Sequence, residues 1–220
     1  MSQAYEKRDL GETASRMIKD GMVVGLGTGS TAAEFIRALG ERIRTEGITV
    51  YGVPTSYQAH LLAEQNDIHI VSSQTIDIAV DGADQVDRHH FVSKGGGGAL
   101  LKEKLVDYRA DRLMILADSH KFVERITRVF VEVHPYAIHS VQKDLSQYGV
   151  CELRTVHGRS IEEGDQVFIT ESGNVIFDMK TRVDDPVSME HELNAINGVM
   201  ENGLFTRTCL IIQRPKGVPG

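Results

Sequence analysis

The first half of the chain alternates short apolar runs with segments whose apolar residues recur at helical spacing. Tyr5 to Lys19 is charged, with apolar positions three and four apart, and Gly21 stands as a stop, so a helix is expected there. Met22–Gly27 (MVVGLG) is a compact apolar run ending in glycines, which suits a buried strand. Ser30 or Thr31 is expected to cap a second helix bearing Ala33, Phe35, Ile36 and Leu39. Further strands are expected over Ile48–Val53, Ile68–Val71, Ile76–Ala83, Phe91–Lys94 and Arg112–Asp118, with helices over Ser56–Gln65 and Ala99–Asp107. Such alternation predicts a parallel sheet covered on both faces, with ligands beyond the carboxyl ends of its strands. Gly25–Thr31, Asp81–Asp84 and Asp118–Lys121 each follow an expected strand, so they should gather along one rim.

After about residue 128 the pattern changes. Val129–Val133 reads as a strand and Ala137–Tyr148 as a helix. CELRTV and the run Gln166–Lys180 read as strands, the latter a hairpin turning at Ser172-Gly173-Asn174, and Pro186–Ile196 as a helix. The expected organisation is a mostly parallel α/β domain over residues 1–127 and a smaller α+β domain over 128–205. Thr208–Arg214 is expected to bring segment 206–220 back to the first sheet.

Composition narrows the function. The 220 residues are 41% hydrophobic and 25% charged, enough apolar surface for a folded core, which excludes a disordered chain. A net charge of −7 argues against a nucleic-acid partner. The N-terminus lacks the apolar core of a signal peptide, and no apolar run approaches the ~20 residues that span a bilayer. A cytoplasmic protein without a membrane partner is expected. Cys151 and Cys209 give neither a disulfide framework nor a metal pair, and the nine histidines form no convincing ligand set, so no metal is expected.

Three segments carry chemistry. GLGTGSTAAEF (Gly25–Phe35) sets glycines and hydroxyls between a strand and a helix, where exposed N–H groups and the helix dipole favour an anion. It lacks the lysine of a Walker A loop, and Ser30 fills the third glycine position of the dinucleotide fingerprint, so a phosphate monoester fits better than a nucleotide. VDGADQVD (Val80–Asp87) puts Asp81 and Asp84 at a strand end; they could bind a metal, cap a loop or accept from sugar hydroxyls. KGGGGALLKEK (Lys94–Lys104) offers a glycine backbone that a ligand can approach closely, with a cation at its mouth. Spacing alone makes Glu103, flanked by Lys102 and Lys104, a solvated helix residue, and Lys121 an ordinary surface lysine.

Taken together, GLGTGSTAAEFI, VDGADQVD and KGGGGALLKEK, followed by ILADSHK, GNVIFD and AINGVMENGLF, resemble the A-type ribose-5-phosphate isomerase family over nearly the whole chain. The resemblance implies a Rossmann-like main domain, a small α+β domain and a homodimer or homotetramer. It implies interconversion of D-ribose 5-phosphate and D-ribulose 5-phosphate in the non-oxidative pentose phosphate pathway, without metal or organic cofactor. Carried over by position, Glu103 is the expected base, Asp81 the ring-opening partner and Lys94 the oxyanion cation. Substrate contacts are expected from Thr28, Gly29, Ser30, Thr31, Asp81, Gly82, Ala83, Asp84, Lys94, Gly95, Gly96, Gly97 and Lys121. One departure is Gln85, where the family usually has Glu. A sugar-phosphate sensor, or an isomerase or deaminase of another sugar phosphate, shares the scaffold, and fold analogy does not separate them.

Overall fold

A computed structural model describes residues 2–72 and 75–213. In chain order the elements are α1 (Gln3–Ser15), β1 (Val23–Leu26), α2 (Ser30–Glu46), β2 (Tyr51–Pro54), α3 (Tyr57–Glu64), β3 (His69–Ile70), β4 (Ile76–Gly82), β5 (Gln85–Val86) and β6 (Val92–Ser93). They continue with α4 (Leu100–Asp107), β7 (Ala110–Leu116), β8 (Arg128–Val133), α5 (Ile138–Leu145), β9 (Val150–Leu153), β10 (Val175–Lys180), α6 (Pro186–Asn194), β11 (Val199–Asn202), β12 (Leu204–Phe205) and β13 (Leu210–Ile212).

By internal contacts the chain divides into two compact units. The first takes the chain up to residue 83, then 102–122, then from 207 on; the second takes 84–101 and 123–206. Residues 84–101 therefore group with the second unit, inside the span expected to run unbroken to 127. Arg214 and the rest of segment 206–220 beyond residue 213 lie outside the described residues.

In the first unit six strands form a parallel sheet in the order β13-β7-β4-β1-β2-β3. The chain runs outward from β1 through β2 to β3, then returns to the other side of β1 as β4. The order thus reverses between β1 and β4, the place where open α/β sheets leave a crevice at their carboxyl edge. Val24, Leu26, Ile78 and Val80 bury against Phe35, Ile36 and Leu39 of α2 and Ala14 of α1. Gly11 lets α1 lie against α2, since a Cβ there would fall 2.6 Å from the Phe35 nitrogen. Gly47, in the left-handed region at φ 69°, ends α2 with its N–H on the Ile43 carbonyl.

In the second unit four antiparallel strands run in the order β11-β8-β10-β9, and a separate antiparallel sheet runs β12-β6-β5. The two faces of β8 are buried differently. Val129, Val131 and Val133 join Val175, Phe177, Met179, Leu145 and Leu193 in the main core. Phe130 packs instead with Leu100, Ile176 and Phe168. The expected hairpin keeps its turn, with Gly173 at φ 78°, but its first arm is reduced to single bridges at Val167 and Ile169. The expected strand over Phe91–Lys94 is the two residues of β6, outside the parallel sheet.

Candidate functional site

Register builds the first half of the site. Leu26 of β1 pairs with Val80 of β4, so Gly27–Thr28, just past the end of β1, run beside Asp81–Gly82, the last two residues of β4. Asp81 is fully buried, and its Oδ1 accepts from the N–H groups of Thr28 at 3.1 Å and Gly82 at 2.6 Å. A Cβ on Gly27 would lie 2.2 Å from that oxygen, so only glycine leaves room for the carboxylate. The Thr28 hydroxyl lies 2.7 Å from the hydroxyls of both Thr55 and Ser56, and Thr55 in turn donates to the Leu26 carbonyl at 3.0 Å. Ser56 also caps α3 by accepting from the Ala59 N–H. One polar chain therefore ties the ends of β1, β2 and β4 together around the Asp81 carboxylate.

The segment expected to bind an anion, at the start of α2, lies next along the same edge. Neither Ser30 nor Thr31 caps α2, contrary to expectation. Gly29, at φ 100° and ψ 177°, takes the capping position, and both hydroxyl residues fall in the first turn without capping it. This conformation is nearly exclusive to glycine, and it starts the helix one residue early. The Ser30 hydroxyl accepts from Lys7 Nζ at 2.9 Å. On the preceding residue, the Glu6 carboxylate accepts from the Ser119 N–H at 2.8 Å, and Gln3 donates to Asp118. Consecutive α1 residues thus hold the start of α2 and the short turn Ser119–Lys121 that follows β7. Lys121, half-buried, closes that turn. A helix N-terminus without a side-chain cap, with lysines at hand, favours a phosphate. Lys7 escaped the sequence reading, since it lies in an ordinary charged helix; only the packing of α1 brings it to Ser30.

The helix α4 has reversed polarity. Glu103, Lys104 and Asp107 are buried, Glu103 with only 4% of its surface exposed, while Leu105 is 49% exposed. Spacing had made Glu103 a solvated residue, and the structure corrects that. Burying carboxylates on a helix while exposing a leucine is costly, an arrangement expected where the charges have a use. Within the second unit, Leu101 is anchored by Glu132 of β8, itself 1% exposed. Its Oε2 accepts from the Leu101 N–H at 3.3 Å, and its Oε1 accepts from Thr170 and Asn174, each at 2.9 Å.

The second unit holds Asp84, Lys94 and the glycine run. Lys94 is 3% exposed; its N–H donates to the Gly203 carbonyl at 2.8 Å, and its Nζ lies 5.5 Å from the Phe205 ring centroid. Asp84 accepts from the Gly96 N–H at 2.7 Å. Gly98 donates back to Gly95 at 3.0 Å, and both have positive φ, at 80° and 123°. The glycine backbone is thus a nest already binding a carboxylate of its own chain, with Gly96 and Gly97 exposed. Of the residues expected in the site, Thr28, Gly29, Ser30, Thr31, Asp81, Gly82, Ala83, Glu103 and Lys121 belong to the first unit, and Asp84 and Lys94–Gly97 to the second.

The pattern of ribose 5-phosphate isomerase A (phosphoriboisomerase A) matches residues 51–217. The ribose-5-phosphate isomerase A of Methanocaldococcus jannaschii is 43% identical over 99% of this chain and 98% of its own length. The chain belongs to the ribose 5-phosphate isomerase A family. The Pyrococcus horikoshii isomerase A is 45% identical over 90% of this chain and 89% of its own. The solved M. jannaschii isomerase A superposes with a TM-score of 0.92 at 41% identity, covering 98% of this chain and 96% of that one. A D-ribose-5-phosphate isomerase in complex with phospho-erythronic acid superposes with a TM-score of 0.91 at 43% identity, covering 97% and 95%. The α/β fold with its parallel sheet is therefore the isomerase A fold.

Gln85 uses both ends of its amide. Its amide oxygen accepts from the N–H groups of Thr127 and Arg128, at 2.8 and 3.1 Å, while its amide nitrogen donates to the Thr127 hydroxyl at 3.0 Å. A carboxylate would lack that donor. Asp87, which is buried, makes an Asx turn, accepting from the N–H groups of His89 and Phe91. Neither cysteine is in a disulfide, and burial, followed by the charge of Asp107, pushes the Cys209 thiol up to about 11. Among the described residues no cluster of His, Cys, Asp and Glu is placed to hold a metal ion, and no helix is long and apolar enough to cross a membrane.

Proposed function

We propose that this aldose–ketose isomerase interconverts D-ribose 5-phosphate and D-ribulose 5-phosphate, with Glu103 moving the proton between C1 and C2 through an enediolate. The observation that carries the reading is the reversed polarity of α4, which spends burial on Glu103 instead of Leu105. Asp81, oriented by the Thr28 and Gly82 N–H groups, takes the anomeric hydroxyl proton as the C1–O4 bond of the furanose breaks and passes it to the departing ring oxygen. Lys94 offers the cation for the developing oxyanion, and Asp84 and Gly95–Gly97 receive sugar oxygens. The first turn of α2, from Gly29 to Thr31, holds the phosphate with Lys121, and Lys7 joins them through its place at Ser30.

Magnitudes require several groups together. A positioned general base contributes about 10²–10⁴ in rate, and one oxyanion donor about 3–4 kcal/mol. In the same reading the protein works in the cytoplasm, in the non-oxidative pentose phosphate pathway, as a homodimer or homotetramer; elution at the mass of one chain would remove the oligomer. The decisive assay is conversion of ribose 5-phosphate with and without chelator. Turnover indifferent to chelation is expected, with Glu103→Gln lowering kcat by about 10²–10⁴ and leaving substrate binding largely intact. Failure to form ribulose 5-phosphate at any protein concentration would defeat the reading, and near-normal kcat in Glu103→Gln would take the base role from that residue.

A further inference from the structure

We propose that Arg154, braced by Asp178, is a positioning residue that sets the peptide planes of the glycine run so that the Gly97 N–H faces the substrate. The inference rests on the function proposed above, and every contact it uses lies within the second unit. Arg154 follows β9, its side chain only 12% exposed, and its N–H donates to the Ile176 carbonyl at 2.8 Å. The guanidinium lies between two rings, 5.1 Å from the Phe130 centroid and 5.8 Å from that of Phe168. Its Nε donates to both Asp178 oxygens, at 3.2 and 3.0 Å, and its Nη2 pairs with the same carboxylate. Nη1 then donates to two successive carbonyls, Gly95 at 3.0 Å and Gly96 at 3.3 Å.

The consequence follows from peptide geometry. In a trans peptide the C=O and the next N–H point in opposite directions. With the Gly95 carbonyl turned to Arg154, the Gly96 N–H must point away, and it does, onto Asp84 at 2.7 Å. With the Gly96 carbonyl on the same nitrogen, the Gly97 N–H leaves by that side too, at an exposed residue. Two neighbouring N–H groups on one side make an anion-binding concavity, half filled by Asp84. Gly95 and Gly98 admit no side chain, because a Cβ would meet Phe130 at 2.9 Å or the Phe168 ring at 2.6 Å. The rings that hold the guanidinium thus also seat the loop. Lysine cannot copy this, since one ammonium does not span a carboxylate and two carbonyls in a plane.

The test compares wild type, Arg154→Lys and Asp178→Asn by steady-state kinetics and by amide hydrogen exchange at Gly95–Gly98. Arg154→Lys is expected to exchange these amides at least about 10-fold faster and to lower kcat about 10–100-fold, with KM for ribose 5-phosphate within about 3-fold. Asp178→Asn, which keeps the guanidinium and weakens its brace, should fall between. A purely structural role would raise exchange across the whole β8–β10–β9 sheet, or lower activity only in step with the folded fraction; either overturns the proposal. Unchanged loop exchange overturns it as well, and so does faster exchange with unchanged kcat. Wild-type protein without turnover would remove the isomerase reading and with it the substrate role of Gly97, whereas normal wild-type turnover with an unaffected Arg154→Lys removes only the clamp.

Discussion

Replacing Gly27 by alanine tests whether the close approach of β1 to Asp81 sets both stability and turnover. The added Cβ would stand 2.2 Å from Asp81 Oδ1, 2.3 Å from its Cγ and 2.6 Å from its Cα. Comfortable contact needs about 3.5 Å, so something must yield by about 1 Å. The Asp81 side chain cannot simply rotate away. It is fully buried, and leaving would break two hydrogen bonds to a charged acceptor, at about 1.5–3 kcal/mol each. Shifting the turn after β1 is cheaper, at about 1–3 kcal/mol for overpacking a tight site. For a chain of this size that lowers Tm by about 2–10 °C. A displacement near 1 Å at the carboxylate proposed to open the ring costs about 10²-fold in rate, so kcat should fall by that order. Gly21→Ala is the control. Gly21 has φ 79° but nothing within 4 Å of an added Cβ, so it carries about 1 kcal/mol of backbone strain and no effect on kcat. Thermal unfolding and isomerase kinetics of both variants decide the matter. A Gly27→Ala protein no less stable than Gly21→Ala, with unchanged kcat, would refute the packing argument.

Lys7→Ala should raise KM about 10-fold while changing kcat less, because in the proposed site the loss falls on a phosphate held alike in ground and transition states; an unchanged KM would remove Lys7 from the site. Asp165 gives the pH dependence. Burial works against its charge, but the N–H groups of His157, Arg159 and Gln166 and the His157 ring outweigh it and hold the carboxyl well below its usual range. The folded form then binds fewer protons in acid than the unfolded form, so this stabilisation is complete above about pH 4 and is lost as pH falls toward the folded value. Asp165→Asn should lower the urea midpoint at neutral pH and shrink the further loss on acidification; equal midpoints for the two proteins at neutral pH would contradict the assignment.

Much of the fold is legible in the order of apolar runs. Met22–Gly27, Ile76–Ala83 and Arg112–Asp118 are too short for helices and too apolar for exposed strands, and all three enter the parallel sheet. Phe91–Lys94 has the same look, yet it pairs antiparallel with β5 and β12. Nothing local distinguishes the two outcomes, because which neighbour a strand meets depends on where the chain returns. The glycine and aspartate segments are visible as unusual composition, and the β1–β4 register explains why position 27 leaves no room for a side chain beside Asp81.

The sequence by itself determined the strands and helices of the parallel sheet, the family, and the residue types available for the chemistry, since hydrophobic period and motif are properties of neighbours along the chain; it did not show β5, β11 or β12. Tertiary structure decided which charges are buried. Glu103 and Lys102 are adjacent and alike in sequence context, yet one is 4% exposed and the other faces water. Lys7 and Arg154 sit in ordinary charged or strand-like stretches, and only packing brings one to Ser30 and the other to the Gly95 and Gly96 carbonyls. Burial and long-range hydrogen bonds are set by what folds against a residue, and that information is spread over the whole chain.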